Sequence, residues 1–181
     1  MSVRLAEAGD AAAIAAIYAP FVTGTAVSFE VDAPDEAEMR ARIASGAGLY
    51  PWLVDCGEAG EVVGFASAGA FRTRRAYRFS VETSVYVSPA AQRRGTGAAL
   101  YTRLLALLEA QGFTQAIAAI TLPNDSSVAL HERFAFTQAG TYRDVGYKFG
   151  EWRSVGLWQR PLALLTTDPE EAKMVAEVWR D

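Results

Sequence analysis

The sequence predicts a mixed α/β (α+β) fold, one sheet with helices on both faces. Three observations carry this: an apolar hairpin early in the chain, a strand–helix–strand–helix succession in the middle, and two more strands near the end. The 181 residues, 51% of them hydrophobic, suffice to bury one substantial core, and the length argues for one domain.

Each element follows from its local pattern. "VRLA" (3–6) reads as a short strand. Asp10 then caps a helix in which Ile14, Ile17 and Tyr18 share a face. Pro34 opens a second helix, "PDEAEMRARIAS", whose first turn is acidic as the helix dipole prefers, and Gly46 and Gly48 end it. "PWLVDC", the turn "GEAG" and "EVVGFASAGA" form a hairpin, because two apolar runs flank a short Gly-bounded polar link. After the loop "FRTRRAYR", the segment "FSVETSVYVS" alternates: Val81, Thr83, Val85 and Val87 take one face, and Glu82, Ser84, Tyr86 and Ser88 take the other.

Thr96 to Gln111 is helical, with Leu100, Leu104 and Leu108 four apart and Gly112 as its stop. "QAIAAITL" (115–122) is apolar on both faces, as in the middle of a covered sheet. Asn124 or Asp125 caps a short helix, "SSVALHERF". "FTQAGTYRDV" and "EWRSVGLWQR" are a closing pair of strands, and the Asp-Pro-Glu-Glu run from 168 predicts a terminal helix.

Composition narrows the function classes. A net charge of −4 provides no global positive field for nucleic acid or an anionic membrane. Cys56 is the single cysteine, so no intrachain disulfide and no cysteine-based metal cluster is expected, and a reducing cytosol fits. The alanine-rich N-terminus is broken by Arg4, Glu7 and Asp10 and falls short of the roughly 18 apolar residues of a membrane span. No repeat or low-complexity stretch occurs.

Residues 85–101, "VYVSPAAQRRGTGAALY", place two arginines and Gly-Thr-Gly between a strand and a helix. Free amides and the dipole at a helix start favour an anion. Gly95 and Gly97 let the backbone curl closely around one, and Arg93 and Arg94 add charge at the rim. A Walker loop is excluded, because Ala98 follows Gly97 where lysine is required; a dinucleotide fingerprint is weak, because Leu100 stands at its third glycine. An anion cradle and a plain tight turn remain.

"QRRGTG" after "SVYVS" resembles the pyrophosphate loop of the GNAT superfamily of acyl-CoA-dependent N-acetyltransferases, Q/R-x-x-G-x-G/A. Together with "RAYRFSVETSVYVSPAAQRRGTGAALYTRLL", "LPNDSSVALHERFAF" and "GYKFGEWRSVGLWQR", the chain from about Val3 to Arg160 resembles phosphinothricin and methionine sulfoximine or sulfone N-acetyltransferases. The resemblance implies a GNAT fold with a mixed, mostly antiparallel sheet in a single domain over 1–160, and leaves 161–181 as a tail. It implies acetyl-CoA as cosubstrate, no metal, a small amino acid acceptor, a homodimer and a cytoplasmic enzyme of the kind that confers antibiotic or herbicide resistance.

Residue by residue, it implies that Gln92, Arg93 and the amides of Arg94, Gly95, Thr96, Gly97 and Ala98 hold the CoA pyrophosphate. Val85, Tyr86 and Val87 would pair with the pantetheine arm, with Asn124 and Ser127 beside it. Glu82 falls on the family's catalytic carboxylate and His131 on its histidine. Without the resemblance, Glu82 is equally a solvent-facing strand residue and His131 a satisfied core histidine. Of the four arginines in "FRTRRAYR", Arg72 and Arg74 are assigned to the acceptor's anionic end, since arginine grips carboxylate or phosphinate through paired hydrogen bonds. Tyr77, Phe29, Glu82 and Tyr86 complete the acceptor contacts. Two positions depart from the pattern: Ala135 stands where such motifs carry glycine, and Phe149 where some phosphinothricin enzymes carry histidine. Two other function classes fit the same residues less fully, a non-catalytic acyl-CoA-binding sensor and a protein or peptide N-acetyltransferase.

Overall fold

The computed structural model describes residues 2–46 and 48–180. Strands β1 (Ser2–Leu5), β2 (Trp52–Cys56), β3 (Val62–Ala70), β4 (Ser80–Val87), β5 (Gln115–Leu122), β6 (Thr137–Lys148) and β7 (Glu151–Pro161) form one sheet in the order β1-β2-β3-β4-β5-β7-β6. Every neighbouring pair is antiparallel except β4 and β5. Those two are joined through helix α3 (Thr96–Gln111), the long crossover that parallel neighbours require.

Strand alternation divides the core between the two faces. Leu53 of β2 packs into the cluster under α3, while its neighbour Val54 packs into the cluster under α1 (Ala11–Thr23) and α2 (Glu36–Gly46). Helix α3 buries Leu100, Tyr101, Leu104, Leu105, Leu107 and Leu108, so truncating one of these leucines to alanine costs about 2–5 kcal/mol. Gly64 lets the helix start lie close to β3: a Cβ there would stand 2.9 Å from Thr96 Cγ2 and 3.1 Å from the Tyr86 carbonyl.

The sheet opens at one place. β4 and β5 pair only at Ser80–Gln115, Val81–Ala116 and Glu82–Ile117. Beyond Glu82, β4 stays with β3 as far as Val87 and β5 stays with β7 as far as Leu122, so the two strands part. The edge of β4 from Thr83 to Val87 therefore lacks a strand partner on that side.

Four local expectations need correction. Asp10 stands at the start of α1 but does not cap it with its side chain. Its carboxylate accepts two bonds from Arg4, at 2.7 and 2.8 Å, and one from the Glu7 amide. A bidentate charge-assisted pair outcompetes a cap, and the guanidinium also holds the Asp10 carboxyl below its usual range. Helix α2 begins at Glu36 rather than Pro34, with Asp35 Oδ1 accepting from the Glu38 amide at 2.8 Å. No helix starts at 168; the tail forms only the single turn α5 (Val175–Val178). Its backbone bonds to the body instead, Lys173 N–H to Gln111 O and Val175 N–H to Gly48 O. Strand β6 also runs on to Lys148, with register slips after Gln138 and Tyr142 that absorb the extra residues.

Candidate active site

The opening between β4 and β5 is lined by Thr83, Ser84, Val85 and Tyr86 on one side and Ala118 to Thr121 on the other. Asn124, Ser127 and His131 of the α4 region (α4, Asp125–Arg133) face it. At its end the chain turns through "SPAAQRRGTG". Gly95 adopts φ 94°, a left-handed conformation suited to glycine, and Arg93 adopts φ 60°. The first helical backbone bond runs from Ala99 N–H to Gly95 O, so the amides of Arg93 to Ala98 have no acceptor among the described residues. Arg93 and Arg94 are exposed beside them. A Cβ on Gly97 would meet only ordinary contacts, 3.5 Å from Leu130 and 3.7 Å from Val87, so packing within the chain does not demand glycine there. Gln92 lies on the same loop, its amide nitrogen 3.4 Å from Val87 O.

Asn124 caps α4: its Oδ1 accepts from the Ser127 amide at 3.2 Å and from Ser126 Oγ at 3.1 Å. Its NH₂ group therefore remains to donate into the opening. This set fits a phosphate-bearing thioester with an amide-containing arm: convergent free N–H groups for the anion, a strand edge and an amide donor for the arm.

Glu82 occupies the last paired position before the strands part. It is half-buried, and its carboxylate has no hydrogen bond or ion pair among the described residues; burial raises its pKa above the ordinary carboxylate value and the charge of Arg72 opposes the rise. A carboxylate in that state accepts protons more readily than a solvated one.

His131 is 4% exposed. Its Nδ1 lies 2.7 Å from the Ser127 carbonyl, which can only accept, so Nδ1 carries the proton. Nε2 then accepts from the Tyr101 hydroxyl at 2.8 Å, and that oxygen lies 3.2 Å from Thr83 Oγ1. Burial pushes the imidazole pKa down, so it is neutral. His131 lines the opening, but both ring nitrogens are engaged within the chain.

On the opposite face of the sheet lies a cavity of about 430 Å³. Tyr18, Tyr50, Trp52, Phe65 and Tyr86 give it aromatic walls, and Ser67 and Ser84 lie on its floor. Its charged wall is a pair: Arg42 donates to both Glu30 oxygens at 2.7 and 2.9 Å, and Tyr18 donates to the same carboxylate at 2.9 Å. Arg42 accordingly holds the Glu30 carboxyl below its usual range. Ser84 and Tyr86 border both spaces, so the cavity and the strand opening meet on β4.

The residues singled out in the sequence divide unequally. Val85, Tyr86, Asn124, Ser127 and His131 converge on the opening or its border; Gln92 to Ala98 form the loop at its end. Phe29, Arg72, Arg74 and Tyr77 do not line the cavity, and Glu82 lines neither the cavity nor the strand opening, though its strand neighbour Gly69 lies on the cavity wall. Arg72 lies two residues past its wall residue Ala70, with its guanidinium over the Phe71 ring and near enough to act on Glu82. Tyr77 packs edge-on against Phe71, and Arg74 is exposed. Glu30, Arg42, Tyr18 and Trp52 were not legible as site residues. Glu30 follows Phe29 in a stretch read only for its aromatic, and Arg42 sits on the polar side of an ordinary surface helix. Among the described residues no cluster of three or more His, Cys, Asp or Glu could hold a metal, and no helix is long and apolar enough to cross a membrane.

Comparison with known proteins agrees with this geometry. Residues 3–154 match the family described as an acetyltransferase (GNAT) domain. The phosphinothricin N-acetyltransferase of Streptomyces viridochromogenes is 41% identical over 178 residues, covering 98% of this chain and 96% of that one. The L-methionine sulfoximine/L-methionine sulfone acetyltransferase of Pseudomonas paraeruginosa is 36% identical, over 87% of this chain and 92% of its own. The crystal structure of a GNAT superfamily phosphinothricin acetyltransferase from Sinorhizobium meliloti in complex with AcCoA superposes with a TM-score of 0.89 at 40% identity, over 95% and 94% of the two chains. With the parted strands, the free-amide loop and these relatives together, the chain belongs to the GNAT family of acetyltransferases.

Proposed function

We propose that the chain transfers the acetyl group of acetyl-CoA to the α-amino nitrogen of a small amino acid analogue: methionine sulfoximine, methionine sulfone or phosphinothricin. The observation that carries this reading is the meeting of the strand opening and the aromatic cavity at Ser84 and Tyr86, two and four residues along β4 from Glu82, which lines neither space but whose half-buried carboxylate has no partner among the described residues. The first space suits the thioester and the second the amino acid, so transfer is direct within a ternary complex. Cys56 lies on neither lining, which speaks against an acetylated thiol intermediate.

An α-ammonium titrates near roughly pH 8 and must lose a proton before it can attack. Glu82 takes that proton, directly or through one water. The amine electron pair forms the new C–N bond, the C–S bond breaks, and the departing thiolate takes up a proton. A backbone amide near Val87 is the donor assigned to the oxyanion, with Tyr86 a weaker one. His131 orients Tyr101 against Thr83, at the point where the strands part; a direct relay by His131 would require Nε2 to exchange Tyr101 for the reacting group. Arg72 and Arg74 meet the acceptor's anionic groups beyond the cavity wall, with Phe29 and Tyr77 as apolar contacts.

Tyr142, Val145, Tyr147, Phe149 and Trp152 expose 49–64% of their surface on the β6–β7 hairpin. So large an apolar face is best covered by a second copy of the chain, and sedimentation equilibrium of wild type and Trp152→Lys measures this. The single thiol fits a reducing cytosol.

The deciding measurement is CoA thiol release with these three analogues and the twenty ordinary amino acids, run beside Glu82→Gln. Turnover on the analogues, lost in the variant, is the expected result. Saturable acetyl-CoA binding without turnover on any acceptor would refute the assignment.

A further inference from the structure

We propose that Lys148 is a positioning residue for the acceptor cavity, acting through the connection between α1 and α2; this rests on the cavity's being the amino acid site. Lys148 is the last residue of β6, yet it is only 7% exposed. Its ammonium donates to three backbone carbonyls, Val22 O at 2.6 Å, Ser28 O at 2.6 Å and Glu30 O at 2.7 Å. Three N–H donors meet three acceptors, a match that the charged form alone provides. The first acceptor lies in the last turn of α1, where unpaired carbonyls and the helix dipole favour a cation. The others belong to residues 24–35, a connection without helix or strand.

What the connection carries explains why its course matters. Ser28 Oγ is 2.6 Å from the Tyr18 hydroxyl, and the Glu30 carboxylate holds Arg42 and Tyr18. Tyr18, Glu30 and Arg42 all line the cavity, while Lys148 does not. Phe29, between the two anchored carbonyls, packs onto Gly146 of the same strand so closely that a Cβ there would fall 2.1 Å from its ring. The end of β6 thus clamps both the backbone and one side chain of the connection, and the charged wall of the cavity takes its shape from that clamp. Arginine cannot replace this lysine, because a planar fork does not converge three donors on three carbonyls around one atom.

The test uses the full-length chain with Lys148→Met and Lys148→Arg. Both variants should raise KM for the turned-over analogue at least tenfold, leave KM for acetyl-CoA within twofold, and lower kcat by less than the acceptor KM rises. In Lys148→Met, backbone hydrogen exchange over residues 24–31 should quicken at least tenfold, with α3 and β5 unchanged. An acceptor KM within twofold of wild type, or equal losses for both substrates, overturns the proposal. If Lys148→Met does not fold, Lys148→Gln takes its place under the same criteria. Should wild type turn over no member of the panel, the proposed function fails by itself; exchange then decides the clamp, and unchanged exchange over 24–31 overturns it.

Discussion

The strand opening and the aromatic cavity share Ser84 and Tyr86, yet they are built in opposite ways. The opening is made largely of backbone: the β4 edge beyond Glu82 and the free amides of one continuous loop, with Asn124 capping the neighbouring helix. The cavity is made of side chains from separate elements, and its charged wall hangs on a lysine more than a hundred residues away in sequence. In the proposed function, backbone donors would recognise a group common to every acyl-CoA, and such donors tolerate side-chain change around them. A side-chain wall tied by long-range bonds can be altered one residue at a time, so acceptor choice can drift while the donor site stays fixed.

Variants should therefore separate by which substrate they affect. The largest effect is expected at Glu82, the proposed proton acceptor: Glu82→Gln should lower kcat by about 10²–10⁴-fold, with both KM values little changed in steady-state kinetics. Next is Gly97→Val, which places branched carbons where, in the proposed complex, the loop amides would face the CoA pyrophosphate. It should raise KM for acetyl-CoA by about tenfold or more, corresponding to at least about 1.4 kcal/mol, and spare acceptor KM. A matching rise in acceptor KM would dissolve the distinction between the two sites.

Titration sharpens the comparison further. Glu82 must be ionised to act, and its pKa is raised by burial against the pull of Arg72, so kcat/KM should climb with pH through a limb above the usual carboxylate range. Arg72→Ala removes the opposing charge, and the limb should move to higher pH. Because the folded pKa is raised, ionising Glu82 lowers stability as pH rises through it, so Glu82→Gln should melt slightly above wild type at neutral pH.

His131 has the opposite sign. Its folded pKa is depressed by burial, so its contribution to stability is present above about pH 6.5 and is lost as pH falls through the folded value. Thermal melts of wild type should fall on acidification over that window, and those of His131→Gln should fall less. At neutral pH, His131→Ala should cost about 1–3 kcal/mol, because it opens a cavity and leaves the buried Tyr101 hydroxyl only the Thr83 oxygen at 3.2 Å.

The parts of the site that were legible in sequence are those whose chemistry is local. "QRRGTG" specifies a curled backbone at a helix start through glycines six and eight residues beyond Pro89 of the strand-ending serine–proline turn, and the alternation of "SVETSVYV" places Glu82, Ser84 and Tyr86 on one face without further help. Asn124 announces a cap because its side chain reaches an amide three residues on. The Asp10 cap was misread for a non-local reason: Arg4, brought alongside by β1, competes for the same carboxylate. The tail was misread similarly, since an acidic Asp-Pro-Glu-Glu start looks helical until Gln111 and Gly48 claim the backbone groups that follow.

Sequence by itself determined the succession of elements and the curled turn at the start of α3, because periodicity, capping and glycine placement act over a few residues; the turn as an anion cradle and Glu82 as the site's carboxylate rest on the family resemblance. Only the tertiary structure decided that β4 and β5 part just after Glu82, that Glu30 and Arg42 form the wall of a cavity, and that Lys148 faces inward to three carbonyls. Those outcomes depend on which distant groups arrive to satisfy a buried charge or a free backbone oxygen, and no local pattern encodes the address of a partner.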